Sequence, residues 1–334
     1  MATGNSSFTT FLTSTLQKYR RTLQENLMGQ QALFWQLKQR GFVTEEKGGR
    51  SIVVPLMYGT NDTVSSYQGY DLLDVTPQAG ITAAEYDWKY IAGSVTISGQ
   101  EEFENSGDKE RIFNLLEAKI KQLEISMKLE LNEQLFAVGT GNGGKDLTGL
   151  NLAVQDGTSW STYGGIDSSV TANSWWRNQW VDFDALNTDF DTASGSSSVQ
   201  GMDAMRAMFN DCTVSNEKPS LIVTTSDLYE RYEGYVEGTK LRTQNTKMAD
   251  AGFLNIEFKG VPIIFDEDMD TDEMLFLNSD YLKFVIGKGR NFTSTPFVKP
   301  ENQDAKVSHV LFTGNIVTSK RDVHGRITDF VDVA

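Results

Sequence analysis

Cysteine is almost missing from this chain: Cys212 is the single one among 334 residues. That excludes a disulfide-stapled scaffold and any multi-cysteine zinc site. Histidine is nearly as scarce. His309 and His324 are the only two, and neither stands in a metal-type spacing such as H-x-x-x-H. No stretch approaches the ~20 consecutive apolar residues of a membrane span, so no membrane association is expected. The first residues, Met1 to Ser7, are polar and lack a basic segment followed by an apolar one. No secretory leader is read there, and synthesis and assembly are expected in a cytoplasm. Positive charge is in deficit as well: 30 Lys and Arg stand against 45 Asp and Glu, a formal net charge of −15. That argues against a nucleic-acid reader, which needs cations to displace phosphate counterions.

Apolar residues, in contrast, are sufficient. A 39% hydrophobic and 11% aromatic content rules out a disordered chain, and the length suggests about two domains. The charge is uneven: residues 1–44 carry Lys18, Arg20, Arg21, Lys38 and Arg40 against Glu25 alone. Within that segment Phe8, Phe11, Leu12, Leu16, Tyr19, Leu23 and Leu27 recur at helical spacing. An amphipathic terminal helix of this kind either docks on its own core or serves as a basic arm for a partner. Residues 51–58 then read as a strand, with Pro55 marking an edge, and 59–80 as a polar, glycine-dotted stretch. Tyr86, Trp88 and Tyr90 alternate strictly, which predicts one face of a strand continuing through Val95 and Ile97. A lone hairpin is marginal in water, so this aromatic face needs something to pack on, which is another subunit if the hairpin projects.

Residues 108–138 contain no Gly or Pro, and positions 112, 116, 120, 123, 127, 131, 135 and 138 form one apolar stripe. A helix of this length is a rod of about 46 Å, a structural spine. Ser106 or Asp108 can cap it. Residues 181–300 read as a compact α/β unit with a helix at 201–209, a strand at 220–225, a helix at 227–235 and strands at 261–265, 274–277 and 282–286. Two tail strands follow, at 307–319 and 326–333, and Ser194–Ser198 is a short low-complexity patch.

Several motifs invite a catalytic or binding reading. Gly139 to Gly144 matches G-x-G-x-x-G but follows a helix, where glycine serves as a C-cap; a dinucleotide loop follows a strand and opens a helix. Asp266 to Glu273 resembles a calcium loop but has Thr271 at its sixth position and Leu277 at its twelfth. It reads as a solvated acidic turn, with only adventitious divalent binding left open. No G-x-S-x-G elbow occurs. Cys212 reads as a buried or edge thiol. Trp175, Trp176 and Trp180 read as the anchor of a domain junction, with sugar or base stacking as the other reading. No catalytic, cofactor-binding or metal-ligating residue is assigned, and no enzyme is expected.

The order of parts, and many short stretches, resemble the major capsid proteins of tailed bacteriophages, whose shell fold is shared with herpesviruses. The stretches are Gly69-Tyr70-Asp71 to Thr76-Pro77-Gln78, Ile81 to Lys89, Ser94 to Gly99, Gly164 to Asp167 and Ser174 to Arg177. Further on they are Phe258 to Pro262, Phe276 to Asn278, Gly289 to Phe292 and Pro296 to Ala305. The resemblance implies an α+β fold with an N-arm (1–45), an extended β-hairpin E-loop (46–103) and a peripheral domain (104–180) holding the spine helix at 108–138. An axial α/β domain (181–300) and returning peripheral strands (301–334) complete it. It implies a virion protein that self-assembles, as pentamers and hexamers, into an icosahedral shell around double-stranded DNA contacted without sequence preference. Its expected partners are itself, a separate scaffold protein, a portal protein at one vertex and a decoration protein; its expected cofactor is none. The family's long charged prodomain has no counterpart before the arm, so no large N-terminal cleavage is expected. Covalent Lys–Asn crosslinks are not expected either, since Lys47 and Lys89 lie near the base of the E-loop. Subunit-interface residues are expected at Tyr86, Trp88, Tyr90, Trp175 and Trp176. The alternative is another self-assembling virion protein, such as a tail-tube or surface-lattice subunit, whose contacts leave the assembly open rather than closed.

Overall fold

The computed structural model describes residues 33, 41–104, 109–158, 160–183, 201–239 and 256–329. The expected N-terminal helix therefore lies outside the described residues except for Leu33, which is helical and fully buried. The Ser194–Ser198 run and the end of the last tail strand lie outside them too.

In chain order, β1 (Val43–Glu46) leads to a hairpin of β2 (Ser51–Met57) and β3 (Ile81–Asp87). Next come β4 (Lys89–Ser98), α1 (Gly99–Glu104) and α2 (Lys109–Phe136). The short pair β5 (Thr162–Tyr163) and β6 (Ile166–Asp167) precedes a 3-10 turn over Thr171–Trp176 and β7 (Gln179–Asp182). Then follow α3 (Gly201–Asp211), β8 (Leu221–Thr224), α4 (Ser226–Thr239), β9 (Ile256–Phe258), β10 (Val261–Phe265) and β11 (Met274–Leu277). The chain continues through β12 (Leu282–Gly287), β13 (Thr293–Ser294), β14 (Ala305–Thr318) and β15 (Gly325–Thr328).

The spine helix expected over 108–138 is α2, and most of its stripe is the buried face: Leu116, Ile120, Met127, Leu131 and Leu135 enter the core, Leu123 is half-buried, and Val138 lies past the helix end, exposed. Its 28 residues span about 42 Å. The chain leaves it at Gly139, whose φ of +80° suits a glycine past a helix end. α2 packs across β4 at Gly93, where an added Cβ would stand 2.4 Å from Leu123 Cδ1. Ahead of α2, Ser98 and Glu101 form a reciprocal cap on α1. The Glu101 amide donates to Ser98 Oγ at 3.1 Å and the Ser98 amide to Glu101 Oε2 at 3.0 Å. Lys119 of α2 then bridges Glu101 and the Thr96 carbonyl, pinning helix to strand.

A five-stranded sheet places β14 at its centre, with β4 along one edge and β12 and β13 along the other; β1 lies parallel on β12. A six-stranded mixed sheet runs β7-β15-β11-β8-β10-β9. One of its faces (Ile222, Met274, Phe276, Ile263) meets α3 and α4 through Met205, Met208, Leu228 and Tyr232. The other (Val223, Leu275, Leu277, Ile264) joins the core that α2 and the five-stranded sheet share. Burial on both faces explains why β11 is an uninterrupted apolar run and why β8 is one up to Thr224.

Three expectations need correction. The alternation over Tyr86, Trp88 and Tyr90 is not one strand: β3 stops at Asp87, β4 starts at Lys89, and the partner changes from β2 to β14. The strand at 282–286, expected in the α/β unit, is β12 of the other sheet, held by β14 and β1. Conversely β15, expected among the returning strands, lies between β7 and β11 in the six-stranded sheet. Strand periodicity reports burial on a face, not which sheet supplies it.

Candidate assembly surface

The hairpin β2–β3 divides into a rooted half and an uncovered half. At the root, Ile52, Leu56, Ala84 and Tyr86 are buried in the chain's own core. Tyr86 Oη donates to the Thr318 carbonyl at 2.8 Å and its ring meets Tyr163 edge-on at 5.1 Å. Tyr163 stacks with Trp176, which touches Trp175, which stacks on Tyr58 at 5.0 Å, so the aromatic chain returns to the hairpin. Gly164 lies against this root with φ +59°; a Cβ there would meet Ala84 and Tyr86 at 2.9 Å. No other residue type fits both that backbone and that space.

Beneath the rings lies Arg321, fully buried. Its Nε donates to the Ala153 carbonyl at 2.8 Å, and its terminal nitrogens reach the Trp176 carbonyl at 2.9 Å and Asn178 Oδ1 at 3.2 Å. The guanidinium also faces the Tyr163 and Trp176 rings at 5.2 and 5.8 Å. Among the described residues no carboxylate pairs with it, and burial lowers its pKa to about 10. His324, three residues on, is also fully buried. Its Nδ1 accepts the Asn278 amide at 3.1 Å and its Nε2 lies 3.2 Å from Thr318 Oγ1; burial, with Arg321 nearby, lowers its pKa to about 3. Both side chains sit in the crossover from β14 to β15, which joins the two sheets.

The other half of the hairpin begins at Met57, 82% exposed. Gly59 and Gly80 face each other there, with the Tyr58 amide donating to the Gly80 carbonyl at 2.9 Å. Residues 60–79 hold no strand. Their shape comes from short side-chain turns: Asn61 accepts from the Thr63 amide, Asp71 from the Gln68 amide and Asp74 from the Thr76 amide. From this tip Val64, Tyr67, Tyr70, Leu72, Leu73 and Val75 stand in solvent, Tyr70 and Leu72 fully. Its only charges are Asp62, Asp71 and Asp74. A group of apolar side chains this large, on one excursion, marks an interaction surface.

The structure separates the five residues expected at an interface. Tyr86, Trp88 and Trp176 are core residues of their own chain, because the root of the hairpin folds back on β5 and the 3-10 turn. Trp175 is half-buried under Tyr58, and Tyr90, at 62% exposure, is the one of the five that is exposed. Sequence reasoning passed over the tip's own Tyr70, Leu72 and Val75. The signal was present as bulky apolar residues inside a segment rich in Gly, Asn, Asp and Ser.

The other motifs resolve structurally. Gly139 to Gly144 forms a left-handed turn after α2, with Asn142 at φ +50°. The acidic turn 266–273 is not simply solvated: Asn132 of α2 donates to Asp266 Oδ1 at 2.7 Å and also to Asp268, Asn151 to Asp270 at 2.7 Å, and Arg326 to Glu273 at 2.6 Å. Burial raises the pKa of Asp266 and of Glu273. No cluster of three or more His, Cys, Asp or Glu able to hold a metal occurs among the described residues. Cys212 is buried under Met208, and burial pushes its thiol pKa up. No described helix is long and apolar enough to cross a membrane.

No model of a known protein family matches the sequence, and no curated protein does. Solved structures do. A chain of the cyanophage A-1(L) capsid asymmetric unit aligns with TM-score 0.62 at 16% identity, over 87% of this chain and 90% of that one. A chain of the holo-SrpI encapsulin complex of Synechococcus elongatus PCC 7942 aligns at 0.54 and 12% identity, over 89% and 90%. A chain of the satellite phage P4 procapsid, which includes a size determination protein, aligns at 0.51 and 9%, over 94% and 91%. Over most of its length the chain thus has the α+β fold of these shell proteins.

Proposed function

We propose that this protein is the major capsid protein of a tailed bacteriophage, a structural rather than catalytic subunit that closes into an icosahedral shell around double-stranded DNA. The observation that carries the reading is the uncovered apolar tip at 57–81 on a hairpin firmly rooted in the chain. Within one chain it is a liability; in a lattice of copies it is a contact. The net charge of −15 suits a container, because a strongly cationic inner wall would hold the duplex by its phosphates. In this reading residues 1–45 are the N-arm, 46–103 the E-loop, 104–180 with 301–334 the peripheral domain and 181–300 the axial domain, which meets its copies at fivefold and sixfold centres. β12 and β15, exchanged between the sheets, tie the last two together. A separate scaffold protein, a portal at one vertex and a decoration protein are the partners such a shell takes, and the virion is where it acts.

The test is assembly. The purified chain, expressed alone and with a candidate scaffold, is followed by light-scattering chromatography and negative-stain microscopy, and particles are checked for nuclease-protected DNA. Closed shells, or pentamers and hexamers that form them, are expected. A chain that stays monomeric under both conditions overturns the reading. Tubes or flat sheets point to a tail-tube or surface-lattice subunit, and closed shells that take up no DNA in a packaging host point to a compartment.

A further inference from the structure

The tip carries acid and apolar groups and no cation, so the surface that receives it should carry the opposite charge beside an exposed ring. One corner of the five-stranded sheet meets that description. β1 and β12 run parallel to a common end, with Glu46 opposite Gly287, and the Lys288 amide donates to the Glu46 carbonyl at 2.8 Å. Lys47 and Lys288 thus leave adjacent strands together. Gly289, at φ +83°, turns the chain so that Arg290 follows at once, and the Arg290 carbonyl accepts the Thr313 amide at 3.1 Å. Thr313 in turn is the register partner of Tyr90 on β4. Lys47, Lys288 and Arg290 are exposed and make no ion pair with any described residue. The carboxylates at the same strand end are Glu45 and Glu46, and the exposed Arg50 follows three residues after Lys47. Among the described residues at this strand end, Lys47, Lys288 and Arg290 thus outnumber Glu45 and Glu46, while Glu130, Lys145 and Asp146 line the groove beside Tyr90.

On the tip, Asp71 and Asp74 are held by the Gln68 and Thr76 amides. Thr76 keeps the Asp74 carboxyl below its ordinary pKa, so it is charged at neutral pH. Tyr70 and Leu72 flank Asp71.

We propose that the tip of a second copy of this chain seats on this corner, with Asp71 and Asp74 against Lys47, Lys288 and Arg290, and with Tyr70 and Leu72 against Tyr90. The inference rests on the reading of the chain as a shell subunit and names the surface its tip engages.

Charge exchange tests it. Lys288→Glu with Arg290→Glu, Asp71→Lys with Asp74→Lys, and all four together are compared with the native chain for shell yield, with thermal melting as the folding control. Each pair is expected to lower the yield about tenfold or more, and the combination to return it to within about threefold of native, since reversed charges attract again. Native-like yield from the Lys288/Arg290 pair overturns the proposal, and so does a combination no better than the poorer pair. Should a variant fail to fold, carbodiimide coupling of native shells built from mixed isotope-labelled and unlabelled chains replaces it. Links between chains from Lys47 or Lys288 to Asp71 or Asp74 are expected, and shells crosslinked only elsewhere overturn the assignment. Failure of the native chain to form any shell is the separate failure of the shell reading.

Discussion

At the scale of single residues, Arg321 and His324 govern the joint between the two sheets. Arg321 satisfies carbonyls of Ala153 and Trp176 that no water can reach, and a buried cation is tolerated there because these acceptors and two aromatic rings surround it. Arg321→Met leaves those acceptors unpaired. We expect a loss of about 3 kcal/mol, read by urea unfolding; a loss under about 1 kcal/mol contradicts the role. His324 makes a pH prediction. Its folded pKa, near 3, lies below the ordinary value of about 6.5. The neutral ring therefore contributes stability in full above pH 6.5, and that contribution drains away as pH falls toward 3, by about 1.4 kcal/mol per unit. Asp266 and Glu273, whose pKa values burial raises, work in the opposite sense in the acid range. His324→Gln removes the first dependence alone. Its stability should fall between pH 7 and pH 4.5 by roughly 2–3 kcal/mol less than that of the native chain; equal falls would show that the ring is not held neutral.

At the scale of elements, what was legible was whatever periodicity encodes. The stripe from Leu116 to Leu135 gave α2 within a residue or two at either end, because a helix with one buried face writes its period directly into the sequence. β8, β10 and β11 were legible for a different reason, as short apolar runs without a period, which burial on both faces of a sheet produces. The break at Trp88 was not, because two strands separated by one residue keep an unbroken alternation while exchanging partners. Ser98 and Glu101 stood in the sequence as a capping pattern and went unread, since α1 is too short to show a period. The aromatic residues were recognised as anchors, but whether an anchor serves its own chain or a neighbour depends on β5 and the 3-10 turn, which have no strong local signal. The seat of α2 on β4 yields a test. Gly93→Val drives a side chain into Leu123 and Met127, and overpacking of this kind costs about 1–3 kcal/mol by denaturant titration. Leu123→Ala in the same chain should recover part of the loss; a neutral Gly93→Val would mean that helix and strand part without cost.

At the scale of the whole molecule, residues 60–79 of the tip make no hydrogen bond, ion pair or ring contact with described residues outside the hairpin. Gly59 and Gly80 already face each other, so replacing residues 60–79 by a two-residue turn closes the hairpin where it is rooted. The shortened chain should melt within a few degrees of the native one and yet form no shells, as scattering and microscopy would report. Loss of the fold would place the tip in the core after all, and intact shells would remove it from the lattice. The direction of the strands sets how such a molecule answers force. A pull on the tip passes down β3, through Trp88, into β4, and β4 is joined to β14 by an antiparallel ladder from Lys89–Gly314 to Ser98–Ala305. Tension along a strand loads that ladder in shear, so its hydrogen bonds share the strain and yield together instead of opening one after another. In single-molecule pulling between the tip and the far end of β14, the rupture force should exceed that for peeling β12 from β14 across the strands. In the proposed shell, tension taken up at the tip would reach the body of the subunit through this ladder.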